Sequence, residues 1–443
     1  MILLFVFCFG RSGEAACGDK NLDGKIRWLG ERVTPIRSID PLDEDFSDLL
    51  PLVNVIGNAR IVQLGENTHG DGATFLAKGR LIRFLHHVMG FDVLAWEAGF
   101  FDCRLLEAAL ASTLPVQEAA GQALYPLWAK SAEVMPVLEY VRKTKSTPFP
   151  MAIAGFDSRV STPACRERLF PEFIFSIFDR LDPRILSAKD RDDFRTMSIR
   201  LVPLDYYNKP DQREFNQEVA ERLVKVLDRS QDQMLAYSSP REIAFVRQAL
   251  VSFLNMAKAL RETDFSESEQ EDADRDRYSR DAAMAENILW LYRTYYPGRK
   301  MIVWAHNYHI AEDIWYSGPS AAMAEKMRRK KFSGPHGRFL KRELGDEVFS
   351  IAFCGYQGVW GYVNEKQEVL SLPPPGSLDD LFHHTGKPVL FLGLRDLDPA
   401  HWLRRPQPGR FYFWELQRAI WPQLFDGIFF IDVMTPGTPV PDK

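Results

Sequence analysis

The chain has 443 residues, 46% of them apolar and 26% charged, an ordinary globular composition long enough for one large core or two domains. A formal net charge of -5 leaves no broad basic surface, which argues against a dedicated nucleic-acid role and for a small or neutral ligand. Five scattered cysteines (Cys8, Cys17, Cys103, Cys165, Cys354), with no C-x-x-C pair, indicate neither a zinc ribbon nor a disulfide scaffold.

In chain order, residues 1–17 carry an apolar run from Ile2 to Phe9 followed by small residues, a pattern like a shortened signal peptide without its basic n-region. Export on that reading, or a cytoplasmic location without it, both stay open. No later segment is apolar over the roughly 18 residues that a membrane span needs. Short apolar runs bounded by turn residues predict buried strands at 59–64, 92–96, 151–154, 300–304, 348–353, 388–392 and 427–433. Residues 75–89 place Phe75, Leu76, Leu81, Ile82, Leu85 and Val88 on one helical face, and Gly90 supplies the stop. Strand, loop, helix and strand over 61–96 make a βαβ unit, which implies a parallel sheet with a ligand site at the carboxyl ends of its strands.

From 162 to 297 the period changes to three and four (Phe215, Val219, Leu223, Leu227), so this stretch is expected to be a helical insertion between two halves of a core, 18–161 and 298–443. Within it, 267–281 (ESEQEDADRDRYSRD) is dense in both charges and reads as a solvated face or a mobile loop. Prolines 373–375, followed by Gly376 and Ser377, mark a rigid loop. The expected fold is therefore α/β: a central, mostly parallel sheet flanked by helices, with the insertion forming one wall of a cleft.

Three predicted strands end in ionisable residues. Residues 61–64 lead to Glu66 and His69, 93–96 to Glu97, and 301–304 to His306, Asn307 and His309. In a parallel sheet the three groups emerge at one edge. An imidazole near its own pKa takes a proton from water, and a carboxylate on its other nitrogen fixes the tautomer. Gly65, Gly70 and Gly72 allow sharp turns and backbone N–H groups close to a substrate oxygen. Taken singly, Glu66 also reads as a helix cap, and each histidine as hydrogen-bonded core. His86, His87, His383 and His384 read as packing or surface residues. G-x-S-x-G, H-E-x-x-H, P-loop and G-x-G-x-x-G motifs are absent, which removes the common serine hydrolases, zincins, P-loop enzymes and Rossmann dehydrogenases.

The loop Gly65-Glu-Asn-Thr-His-Gly70, the Gly90-Phe91 turn before Glu97, the segment Trp304-Ala-His-Asn-Tyr-His309 and the stretch Ser279-Arg-Asp-Ala-Ala-Met-Ala-Glu-Asn287 occur in that order. So do Gly337-Arg-Phe-Leu340, Gly345-Asp346, Gly376-Ser377-Leu378 and Phe425-Asp426. Together they resemble the erythromycin esterase family over roughly residues 55 to 435. The resemblance implies a metal-independent hydrolase without a cofactor, acting on a small-molecule ester, with a macrolide lactone as one candidate. It implies that His69 is the general base and that Glu97 orients or electrostatically supports it. Glu66, His306 and His309 would complete the polar cluster, one histidine stabilising the oxyanion or protonating the leaving alcohol. Lys78, Asn307 and Gly70 would support substrate or oxyanion. Where macrolide-hydrolysing members carry Phe after the motif histidine and Arg at the basic site, this chain has Gly70 and Lys78, and Lys lacks the planar bidentate fork. Ala73 stands where many members carry Glu, and His336 where Met is common. Two other readings are a metal-dependent hydrolase built on His69, His306 and His309, and a polysaccharide-biosynthesis protein with Trp128, Tyr206, Tyr207 or Trp360 stacking on a sugar.

Overall fold

The computed structural model describes residues 22–200, 210–262, 269–313 and 334–441. Tyr206, Tyr207 and residues 1–17 lie outside them. A nine-stranded sheet is built from β1 (Thr34–Pro35), β2 (Ile61–Leu64), β3 (Phe91–Gly99), β4 (Ala152–Asp157), β5 (Lys300–Trp304), β6 (Val348–Trp360), β7 (Glu368–Val369), β8 (Val389–Gly393) and β11 (Gly427–Met434). β9 (Gln407–Tyr412) and β10 (Glu415–Ala419) form a separate hairpin. The sheet order is β1-β8-β11-β6-β2-β5-β3-β4, with β7 on β6. The strands from β11 to β4 along this order all run parallel, whereas β8 is antiparallel to both β11 and β1, and β7 to β6. The sheet is thus mixed rather than parallel throughout.

Alternation of side chains sends successive residues of the central strands into two cores. Ile61, Val93, Ala95, Met301 and Val303 face one, and Val62, Leu64, Leu94, Trp96, Ile302 and Trp304 the other. Burial on both faces explains why these strands read as continuous apolar runs. The second core receives the helix Gly72–Met89 through Phe75, Leu81, Ile82 and Leu85, and Gly90 closes that helix in the left-handed region at φ 72°. The first core receives Phe170, Ile174, Val219, Leu223, Val246, Leu250, Met284 and Ile288 from the helices that follow β4. Trp96 and Trp304 stack across neighbouring strands, 4.3 Å between ring centroids.

Two expectations need correction. β3 and β6 run beyond their predicted ends, so Glu97 lies inside a strand and not after it. The charge-dense stretch is helical from residue 269 onward, within the helix Glu269–Trp290, and its Arg280 and Asp281 are buried. Charge density predicts solvent only when the charges lack partners, and these two have them.

Register sets the functional edge. Leu64 pairs with Trp304, and Trp304 with Trp96, so β2, β5 and β3 end level and deliver Glu66, His306 and Glu97 to one place. The loop carrying His69 is clamped by the C-terminal segment: Gly437 N–H donates to the carbonyls of Gly70 and Gly361, and a Cβ on Gly72 would meet Pro436 O at 2.3 Å. The loop glycines are thus selected for close approach and not for a left-handed turn. Gly72→Ala is expected to cost about 1–3 kcal/mol through overpacking, read as a lower urea midpoint at unchanged m-value.

Candidate active site

His69 follows β2 by five residues, and its imidazole lies 5.0 Å from the ring of Trp128 and 5.5 Å from that of His306, centroid to centroid. Its Nδ1–H donates to Glu66 Oε1 at 2.6 Å, which leaves Nε2 as the lone-pair nitrogen. The other Glu66 oxygen accepts from Lys78 Nζ at 2.5 Å, and both of these side chains are fully buried. Lys78 also reaches the Ala305 carbonyl and sits 4.1 Å above the Trp304 ring. Burial, partly offset by Glu66, brings the Lys78 ammonium down to about 8.

Glu97 was expected to orient His69 or to support it electrostatically, and the direct bond to His69 comes from Glu66. Glu97 Oε2 instead accepts from the His306 backbone N–H at 2.9 Å. Its Oε1 meets His309 Nε2 at 3.2 Å and Arg280 Nη2 at 3.3 Å. Burial pushes the Glu97 carboxyl up, but His309, His69 and Arg280 together hold it well below the usual carboxylate range. Its influence on His69 is electrostatic.

His309 is gripped on both sides, with Nδ1 2.7 Å from Asp281 Oδ1 and Nε2 against Glu97. Burial disfavours its charged form, but the two carboxylates outweigh that and raise it to about 9. Arg280 Nη1 at 3.4 Å from His309 Nε2 is accordingly a close approach between cations and no hydrogen bond. The Arg280 guanidinium is held by Asp157, through Nε at 3.1 Å and Nη2 at 2.7 Å.

His306 is spent on structure: Nδ1 accepts from Tyr308 N–H at 3.0 Å, and Nε2–H donates to the Asn67 carbonyl at 2.6 Å. Burial, reinforced by His69 and His309, keeps it neutral, well below its ordinary value. Asn307 is spent as well. Its amide N–H groups go to the carbonyls of Phe353 and Phe411, both at 2.8 Å, and its oxygen accepts from Phe353 N–H. The Gly70 N–H donates to Thr68 Oγ1 at 3.2 Å, while Gly70 packs so close to Gly361 that a Cβ would meet its carbonyl carbon at 2.7 Å. The expected oxyanion supports Asn307 and Gly70 therefore have their donors engaged, and Lys78 faces Glu66.

Residue-by-residue reading missed four participants. Arg280 and Asp281 were hidden in the charged stretch, although the Ser279–Asn287 similarity contained both. Asp157 lies at the end of β4, one strand beyond those considered. Phe413 caps His306 at 4.7 Å between centroids, from a hairpin tip in which Phe413 and Trp414 both have positive φ, 54° and 58°. Asn67 holds that tip: its carbonyl accepts from Phe413 N–H at 3.1 Å and its side-chain oxygen from Trp414 N–H at 2.8 Å. Trp128 is buried and belongs to the core beside His69.

The sheet, the level strand ends and the histidine-carboxylate cluster define a class: an α/β protein with a buried polar cluster at the carboxyl edge of its sheet. The erythromycin esterase family model matches residues 86–434, and the chain belongs to this family, whose members support a hydrolase assignment. The Glu66–His69 loop precedes the matched span. The chain is 25% identical to a putative hydrolase, YbfO, of Bacillus subtilis (strain 168), over 99% of this chain and 96% of the relative. It is 23% identical to an erythromycin esterase type II of Escherichia coli, over 91% and 96% of the two chains. Among solved structures, a Bacillus cereus protein superposes with a TM-score of 0.75 at 20% identity, covering 96% of this chain and 100% of that one. An erythromycin esterase mutant, EreC, in its open conformation gives 0.71 at 18% identity over 93% and 99%. These structural likenesses extend the family's fold to this chain. Among the described residues no helix is long and apolar enough to cross a membrane.

Two outcomes follow from the buried charges. Arg280→Met removes the cation that Asp157 and Glu97 share and is expected to destabilise by about 3–5 kcal/mol, whereas Arg184→Met, at a fully exposed ion pair, is expected to leave stability essentially unchanged. Denaturant midpoints compare the two. Lys78 titrates at about 8 when folded against an ordinary 10.5, so the folded chain binds fewer protons in between. Its contribution is full above pH 10.5 and is lost as pH falls through about 8. Relative to Lys78→Met, the wild type should gain up to about 3 kcal/mol between those limits, measured by unfolding at a series of pH values.

Proposed function

We propose that this protein hydrolyses a carboxylic ester with His69 as general base. The observation that carries the reading is the state of the His69 ring. It is partly exposed, with 24% of its side-chain surface accessible, its Nδ1–H is fixed by a buried carboxylate, and its Nε2 has no hydrogen-bond partner among the described residues. Water bound at Nε2 gives up a proton to the ring as its oxygen attacks the ester carbonyl. Glu66 stabilises the resulting imidazolium, and Lys78 balances Glu66. The tetrahedral intermediate then expels the alkoxide, which recovers the proton from His69. Glu97 adds favourable field from a distance, and the 162–297 segment walls the cleft, a role supported by the reach of Arg280 and Asp281 to Glu97 and His309.

On substrate, the two positions that distinguish macrolide-hydrolysing relatives are occupied internally here. Lys78 is committed to Glu66, and Gly70 is backed by Gly361 with no room for a side chain. This favours an ester other than a macrolactone clamped by a guanidinium. A mass-spectrometric screen of simple esters and macrolides for gain of one water tests chemistry and substrate together. His69→Ala should fold as the wild type and lose about 10²–10⁴-fold in kcat/KM; undiminished turnover in that variant overturns the assignment.

A further inference from the structure

Three buried side chains from three elements converge: Asp281 on the helix Glu269–Trp290, His309 in the turn Asn307–Ile310, and His336 at the start of the helix His336–Leu344. One donor atom from each lies within 4.8 Å of the others. The approach depends on Gly337, where a Cβ would meet the Ile310 carbonyl oxygen at 2.2 Å. The rings of His309 and His336 are nearly parallel, 7° apart with centroids at 6.0 Å.

The hydrogen-bond inventory assigns the tautomer of His336. Gln63 Nε2–H donates to Ser350 Oγ at 2.9 Å, and that hydroxyl donates onward to Glu312, so the Gln63 amide oxygen is the atom facing His336. His336 Nε2–H therefore donates to Gln63 at 2.9 Å, and Nδ1 is a bare lone pair. That Nδ1 and Asp281 Oδ2 are both buried, and neither has a hydrogen-bond partner. One cluster thus holds two buried acceptor atoms that no donor satisfies. Arg280, next to Asp281 in sequence, does not supply one, because its guanidinium is directed at Asp157 and Glu97.

We propose that Asp281, His309 and His336 form a binding site for one divalent transition-metal ion of the zinc type. Both imidazoles already carry the outer acceptor that metal-ligating histidines need. Glu97 stands at Nε2 of His309 and Gln63 at Nε2 of His336, which leaves each Nδ1 for the ion. The ion displaces the Nδ1 proton that His309 shares with Asp281, and that proton leaves to solvent. Charge favours the exchange. Asp157, Glu97 and Asp281 outnumber Arg280 and the His309 imidazolium by one negative charge, and replacing one proton by a divalent cation brings the group to zero. Coordination draws the donors in to about 3.3 Å apart, the spacing of a tetrahedral site with metal–nitrogen bonds of about 2.0–2.1 Å. A nitrogen, nitrogen and oxygen donor set suits zinc or cobalt over magnesium or calcium.

The test reads binding and not turnover, so it stands or falls separately from ester hydrolysis. Full-length protein treated with chelator and dialysed is titrated with CoCl2 while visible absorption is recorded, and ZnCl2 is then added. The expected result is one equivalent of Co2+ with intense d–d bands, displaced by Zn2+, and a Zn2+-dependent rise in Tm. His336→Met, checked for folding by circular dichroism, should bind at least ten-fold more weakly. Gln63→Met, which removes the outer acceptor and leaves all three ligands, should weaken binding about 10–100-fold and serves if the first variant does not fold. Wild-type protein that takes up no Co2+, or binding of equal strength in the variants, as surface sites such as His383 and His384 would give, overturns the proposal.

Discussion

The edge of this sheet is organised by a buried alternation of charge: Asp157, Arg280, Glu97, His309 and Asp281, each within hydrogen-bond or close contact distance of the next. Taking five ionisable groups out of water is costly, and mutual attraction offsets that cost only if every member is present and well placed. The chain meets the condition by drawing them from four elements. Asp157 and Glu97 come from adjacent strands, His309 from the turn after β5, and Arg280 and Asp281 from one helix. The array therefore fixes where that helix sits on the sheet, to a precision that apolar contacts, which tolerate sliding, do not supply.

His69 stands apart from this array and answers to a second, smaller one. Glu66 and Lys78 are fully buried, so the field at His69 is set by fixed charges and not by solvent ions. The two arrays meet at His306, which is held neutral and packed between them by Tyr308, Asn67 and the Phe413 ring. A neutral ring there adds no further positive charge beside His309. The three imidazoles thus differ in setting: one is partly open to solvent, one neutral, and one held positive by two carboxylates.

Much of the frame was legible in the sequence, because central strands buried on both faces leave uninterrupted apolar runs, and strand ends carry the polar groups. The meeting of Glu66, His69, Glu97, His306 and His309 at one edge followed from that pattern. Which carboxylate bonds which histidine did not, since it depends on side-chain reach across loops: Glu66 is three residues from His69 and curls back onto it, while Glu97 points to the turn after β5. Arg280 and Asp281 were obscured because a charge-rich run looks the same whether its last members face water or a buried partner. Asn307 and Gly70 read as substrate donors, yet their hydrogen bonds stitch loops together. Polarity at a strand end marks a place, while the use of each donor is decided by neighbours far away in the chain. The β9–β10 hairpin left no signal, since its turn residues are Phe413 and Trp414, where positive φ ordinarily calls for Asn and Gly.

That hairpin takes its shape from a distant loop. Two bulky residues with positive φ give the isolated ribbon no preference for its final shape, at a cost of order 1–3 kcal/mol for each strained residue. The bonds that hold it come from Asn67, more than three hundred positions earlier. The cover over His306 and the loop that bears His69 are thus tied through one residue, so the position of either depends on the other.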